Sequence, residues 1–174
     1  AYMHGQAMYG PYKATEKRKY VFGATDRFDE QIEKRASIRS ERYLYIRNYM
    51  SQQSLYRPVK FRLDMPMMQE MLRLHEEGKL DTVQERWFIS PAFEEELYDC
   101  MADPHQIHNL CNDTGYQKVL KQMRTAYQKE WIESFNIDWE QRTEEFFVNK
   151  MWPKGTKPCC ERPHLRIENG KVYV

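Results

Sequence analysis

Apolar residues along the chain change period several times, and each change marks a predicted element. Lys19-Tyr20-Val21-Phe22-Gly23-Ala24 is a short β-prone run bounded by charge, a strand candidate. Arg35–Arg39 and Arg42–Tyr49 flank a tight Ser40-Glu41 turn and predict a hairpin. In the longer run the two-residue period puts Leu44 and Ile46 on one face and Tyr43, Tyr45, Arg47 and Tyr49 on the other. The period then becomes helical: Met68, Met71, Leu72 and His75 share one face, with Asp64 as the expected cap, Pro66 in the first turn and Gly78 as the stop. Thr82-Val83-Gln84-Glu85 has capping-box spacing and predicts a short helix toward Phe88. Glu96–Asp99 returns to a strand pattern.

The strongest periodicity runs from Thr114 to Phe135. Thr114 and Gln117 form another capping-box pair, and Tyr116, Leu120, Met123, Tyr127, Trp131 and Ser134 step by fours and threes. They predict one amphipathic helix of about twenty residues, or roughly 30 Å, long enough to lie across a four-stranded sheet. Beyond Asn136 the pattern decays, until Asn169-Gly170 places a turn between Leu165–Ile167 and Val172–Val174, a small terminal hairpin. Residues 1–14, with Gly10-Pro11, read as a loop leading into the domain.

Composition narrows the class. The 174 residues are 41% hydrophobic and include twelve tyrosines, enough to fill a core. A net charge of +1 argues against a nucleic-acid-binding domain, which usually carries a large basic excess. No apolar run is long enough to span a membrane, and Ala1-Tyr2-Met3-His4-Gly5 lacks the pattern of a signal peptide. Four cysteines are too few for a disulfide scaffold, and Cys159 and Cys160 are adjacent, where a mutual bridge is strained.

One segment invites a metal reading. Cys100, His105, His108 and Cys111 have the spacing C-x4-H-x2-H-x2-C, and two thiolates with two imidazoles suit tetrahedral zinc. A packing reading accounts for more of the segment. Cys100 closes a strand, Asp103-Pro104 is expected to start a helix, and Ile107 and Leu110 face the core one turn apart, leaving the histidines elsewhere.

The same segment, ELYDCMADPHQIHNL, resembles a signature near the C-terminus of type I sulfatases, E-L-Y-D-L-x-x-D-P-x-E-x-x-N-L. RASIRSERYLYIRNY is similar to the family's R-A-V-R-x-x-x-Y-K-Y-I-x-N segment, and KYVFGATDRFDE to the strand and loop that open its C-terminal subdomain. MPMMQEMLRLHEEGKLDTVQERWF is similar to the helical insert of the family's bacterial glycan-degrading branch. The resemblance covers residues 4 to 140 in family order. It departs at Cys100 and Cys111, where leucine and a small residue are common.

The resemblance implies an α+β fold: a four-stranded antiparallel sheet packed against one long C-terminal amphipathic helix, with a short helical insert and an extended tail. It implies residues 1–14 as a linker from an N-terminal catalytic domain, 15–140 as the sulfatase C-terminal-like subdomain, and 141–174 as the tail carrying the terminal hairpin. Type I sulfatases hydrolyse sulfate esters with a formylglycine nucleophile, made within C/S-x-P-x-R, and a calcium ion. This chain lacks that equipment: Cys160-Glu161-Arg162-Pro163 has the letters in the wrong order, and Ser90-Pro91 fails likewise. The chain is therefore expected to be catalytically silent alone, with calcium and formylglycine in the catalytic domain and none here.

In that setting its partners are the catalytic domain and a sulfated sugar, with no nucleic acid and no membrane, and the resemblance implies export to the periplasm or outside the cell. Arg27, at the end of the first strand, is the leading substrate-facing candidate, since arginine can clamp a sulfate or carboxylate in bidentate fashion. The plainer reading pairs it with Asp26 or Asp29. His4 and Arg39 are the further candidates, against a solvent loop for His4 and a sheet-face ion pair with Glu41 or a neighbour for Arg39. The row Tyr43, Tyr45 and Tyr49 suits sugar stacking or, more simply, an interdomain face whose exposure would make the lone chain self-associate. The rival class is a free-standing protein- or RNA-binding module, drawn from the arginine- and tyrosine-bearing hairpin.

Overall fold

The structure is a computed structural model that describes residues 5–29, 31–133, 166–168 and 171–173, together with Asn149. Phe135, Cys159 and Cys160 lie outside the described residues. The chain divides into two compact units, Ala1–Ile137 and Asp138–Val174.

The first unit holds strands β1 (Val21–Phe28), β2 (Gln31–Arg39), β3 (Tyr43–Asn48) and β4 (Glu95–Asp99), antiparallel in the order β1-β2-β3-β4. Between β3 and β4 lie α1 (Lys60–Leu63), α2 (Pro66–Glu76) and α3 (Thr82–Glu85). A long helix, α4, follows: a 3₁₀ turn at Thr114–Tyr116, α-helix through Gln117–Ala126, then wider π-helical turns over Tyr127–Glu133. This is the α+β architecture the sequence implied. The second unit contributes the terminal hairpin, β5 (Arg166–Glu168) paired antiparallel with β6 (Lys171–Tyr173), with Ile167 opposite Val172.

Register explains the main core. Phe22, Ile38, Tyr45 and Leu97 lie side by side across the four strands, so one face carries a continuous apolar row. Ile38, Tyr45 and Leu97 are each at most 2% exposed. The helix answers with buried Leu120, Met123, Ala126, Tyr127 and Trp131. Phe22 stacks on Trp131 at 5.3 Å, while Tyr45 meets Tyr127 and Tyr43 meets Tyr116 edge-on at 5.5 and 6.5 Å. The tyrosine row is thus covered by the chain's own helix, with Tyr49 and Tyr127 hydroxyls hydrogen-bonded at 2.8 Å. That corrects the expected interdomain face and removes the reason given for self-association.

The opposite face is more polar. Val59 and Met68 of the β3–β4 connection are buried, but so are Glu33, Asn48, Arg57 and Glu96. Arg35 Nε lies 2.5 Å from Glu33, and Arg86 donates to the Tyr98 hydroxyl at 2.6 Å while Tyr98 donates to Glu96.

Three caps differ from expectation. Met65 precedes α2 with no side-chain cap, and Asp64 closes α1 instead. The box at α3 begins one residue earlier: Asp81 accepts from Val83 and Gln84 amides at 2.9 and 2.8 Å, and Gln84 returns to the Asp81 amide. Asp113, not Thr114, caps the long helix through the Gly115 amide at 2.7 Å. Gly78 does end α2, at φ +64°, where a side chain would be strained.

Asp103-Pro104 starts no helix. The segment runs in turns, with Asp103 accepting the His108 amide at 2.8 Å and Gln106 at φ +56°. It then lines the outer edge of β4: the Leu110 amide donates to Leu97 O at 2.8 Å, and Asn109 bonds the Leu97 amide and Glu95 carbonyl. A sheet edge that would otherwise offer unpaired backbone is thereby covered.

Candidate functional site

The zinc reading finds no geometry. Among the described residues no three His, Cys, Asp or Glu side chains gather to hold a metal. Burial, aided by the charge of Glu95, pushes the Cys111 thiol up to about 11, away from the thiolate a metal requires. His108 is 78% exposed on its side chain and faces Asp103 at 3.6 Å.

The sequence candidates fall at opposite ends of the sheet. Arg27 is exposed near the C-terminal end of β1, just past an irregularity in pairing between Thr25 and Arg27, and Thr25 Oγ1 donates to the Arg27 carbonyl. Arg39 ends β2 opposite Val21, at the start of β1. Strand rise separates the two arginines by roughly 20 Å, so they cannot grip one monosaccharide. Glu41, offered as the ion partner of Arg39, instead pairs with Lys17 at 2.9 Å. His4 lies outside the described residues.

Around Arg39 the fold assembles a basic cleft the sequence reading missed. Lys17, Arg18, Lys19 and Tyr20 approach the start of β1 and border a cavity of about 820 Å³ whose other walls include Phe22 and Trp131. A second hollow of about 710 Å³ continues from Lys19 and Tyr20 along the helix past Lys118, Lys121 and Lys129. A third recess joins Lys17 to Arg39, Glu41 and Arg42 at the β2–β3 turn. Together these walls bear eight cations against three carboxylates, Glu16, Glu41 and Glu130, in a chain of net charge +1. Charge is therefore segregated, and the near-neutral total hid it.

Not all of that charge is equally available. Arg42 is committed: its Nε and Nη2 fork onto Asp99 at 2.9 and 2.7 Å, and the arginine holds that carboxyl well below the usual aspartate range. Met101 and Ala102 amides also donate to Asp99, so the pair fixes both the turn after β4 and the base of the β2–β3 turn. Lys19 lies 5.2 Å from the Tyr20 ring centroid. The run Lys17-Arg18-Lys19 beside Tyr20, and lysines three apart at 118 and 121, were the available signals.

No family model matches the chain. It is 39% identical, over 99% of its length, to an ulvan-active sulfatase of Formosa agariphila, and it spans 29% of that relative's length. Two solved structures are also similar. A protein in complex with its substrate D-glucosamine-2-N,6-O-disulfate shares 15% identity at TM-score 0.44, over 75% of this chain and 19% of the other. A Bacteroides thetaiotaomicron protein assigned as a sulfatase shares 20% identity at TM-score 0.40, over 75% and 21%. By sequence, the chain is a relative of the C-terminal part of a sulfatase.

Proposed function

We propose that the chain serves as the C-terminal portion of a sulfuric ester hydrolase acting on a sulfated glycan, packing on the catalytic domain and helping to wall its substrate cleft. The match to an ulvan-active sulfatase along almost the whole chain carries this reading. The nucleophile and the calcium belong, in this reading, to the catalytic domain; a formylglycine and a cation there would meet the charge that develops on a departing sulfate. This chain supplies shape and positive charge around the sugar. Arg27, exposed near the end of β1, is proposed with Arg39 and His4 to face substrate. Export from the cell accompanies the proposal, since a polymeric glycan is met outside.

The test is sulfate release. The coding frame surrounding this chain is expressed whole and incubated with ulvan, beside the 174-residue chain alone. Release by the whole frame and none by the chain supports the reading; a whole frame lacking a C/S-x-P-x-R nucleophile motif and releasing no sulfate would sink it. The rival binding-module reading draws its support from the basic cleft, and single-stranded RNA titrated at two salt concentrations separates them.

A further inference from the structure

We infer that the basic cleft is a second saccharide-binding site, which holds the anionic chain of a sulfated polysaccharide away from Arg27 at the other end of β1. The choice of a sulfated sugar as its anion rests on the sulfatase reading; the site itself rests on the geometry. Its two larger hollows, of about 820 and 710 Å³, each lie within the range of about 300–1,000 Å³ typical of ligand sites. Its composition is that of a surface for charged sugars. Tyr20 and Phe22, both half-buried at its wall, supply ring surface for the apolar C–H side of a pyranose, and Trp131, buried against Phe22, backs that wall. Lys19, Arg39, Lys118 and Lys121 are exposed around it, placed to meet sulfate or carboxylate groups.

The layout favours a polymer over a small ester. The cations stand on three separate segments, the approach to β1, the β2–β3 turn and the helix, so they line a path and do not converge on one point. Arg27 is roughly 20 Å away along β1. A glycan held at both places is registered along its length, which a monosaccharide cannot be. Glu16, Glu41 and Glu130 interrupt the positive path, which suits an anion with spaced charges better than the dense, regular phosphates of a nucleic acid.

The experiment measures binding of the 174-residue chain to dextran sulfate, unsulfated dextran of equal length, and single-stranded DNA, across a salt series. Dextran sulfate is expected to bind with an affinity that falls with salt, and unsulfated dextran far more weakly. Lys19→Gln, Arg39→Gln, Lys118→Gln and Lys121→Gln combined are expected to weaken dextran sulfate binding about tenfold or more and to flatten its salt dependence. Arg39→Lys alone should retain it, as should Lys79→Gln outside the cleft. All five positions are exposed, and an unchanged thermal midpoint confirms the fold.

Undiminished binding by the combined variant, equal binding of unsulfated dextran, or tighter binding of DNA would each overturn the inference. Sulfate release by the whole frame is a separate readout. If release is seen and cleft variants change neither dextran sulfate affinity nor KM on the polymer, only the cleft inference fails. If cleft binding holds and no sulfate is released, only the sulfatase reading fails.

Discussion

Glu95 ties the long helix to the sheet, so Glu95→Gln tests the architecture directly. Arg124 of α4 donates through Nε at 2.8 Å and through Nη2, Tyr45 OH donates at 2.5 Å, and Arg47 lies 3.6 Å away. Glutamine keeps the length but turns an NH₂ group toward arginine, which has no acceptor to offer it. Hydrogen bonds to charged groups contribute about 1.5–3 kcal/mol each. The Arg124 side chain is 49% exposed, and solvent screening reduces its share, so the net loss at pH 7 is about 2 kcal/mol. In a domain of this size that lowers the thermal midpoint by roughly 6–10 °C.

The pH dependence has a definite sign. Burial pushes the Glu95 carboxyl up, but hydrogen bonds from Arg124 and Tyr45 and the charges of Arg124 and Arg47 outweigh it and hold it below the usual glutamate value. A carboxylate depressed in the folded state stabilises fully above its unfolded value and loses that contribution as pH falls through its folded one. The gap between wild type and Glu95→Gln should therefore be widest above about pH 5 and close in acid as Glu95 takes a proton. Urea unfolding followed by tryptophan fluorescence, at neutral and acid pH, reads both quantities. A variant within about 0.5 kcal/mol of wild type at pH 7, or a gap that persists unchanged in acid, would refute the network's role.

Leu97 is fully buried in the apolar row, and Leu97→Ala should cost about 3 kcal/mol in urea unfolding, while Met67→Ala at a 65% exposed site should stay within about 0.5 kcal/mol. Asp81→Ala removes both acceptor contacts of the α3 cap and should cost about 1 kcal/mol; Thr82→Ala should change little, which separates the observed cap from the one expected by spacing. Gly78→Ala meets no neighbour but must hold φ +64°, so about 1 kcal/mol of strain should appear as a lower thermal midpoint without any loss of packing. Adding EDTA should leave the unfolding midpoint unchanged; a fall would restore zinc at Cys100, His105, His108 and Cys111.

The β2–β3 hairpin and β4 were legible because alternation and the Ser40-Glu41 turn fix register locally, and the helix because its apolar stripe is long; β1 and β2 instead extend past the expected Lys19–Ala24 and Arg35–Arg39, to Phe28 and back to Gln31. Two of the three misplaced caps share one cause. At both Asp81-Thr82 and Asp113-Thr114 an aspartate stands immediately before a threonine, and the carboxylate is the stronger acceptor for free amides. The failed helix at Asp103-Pro104 has a different cause. Local capping chemistry was present, but Leu110 and Asn109 are drawn onto the edge of β4, a long-range pairing that no short window reveals. The tyrosine row could be read as one face, though not what covers it. The basic cleft was illegible because its cations come from three segments that only the fold brings together.

The two sheet faces then constrain where chemistry can occur. One is sealed by α4, whose aromatic contacts leave Tyr45 and Tyr127 at 2% and 5% exposed and so unable to stack a sugar. On the other, the Glu96–Tyr98–Arg86 chain is closed over by the backbone at Gln106 and Ile107, to which Arg86 donates. With both faces committed to holding the sheet, exposed arginines remain at its ends, Arg27 at one and Arg39 at the other. The strands between them act as a spacer whose length is fixed by backbone geometry and whose rigidity comes from the apolar row. A mutation in that row, such as Leu97→Ala, should therefore lower stability and leave the affinity of the folded fraction for dextran sulfate unchanged, whereas loss of the cleft lysines should do the reverse.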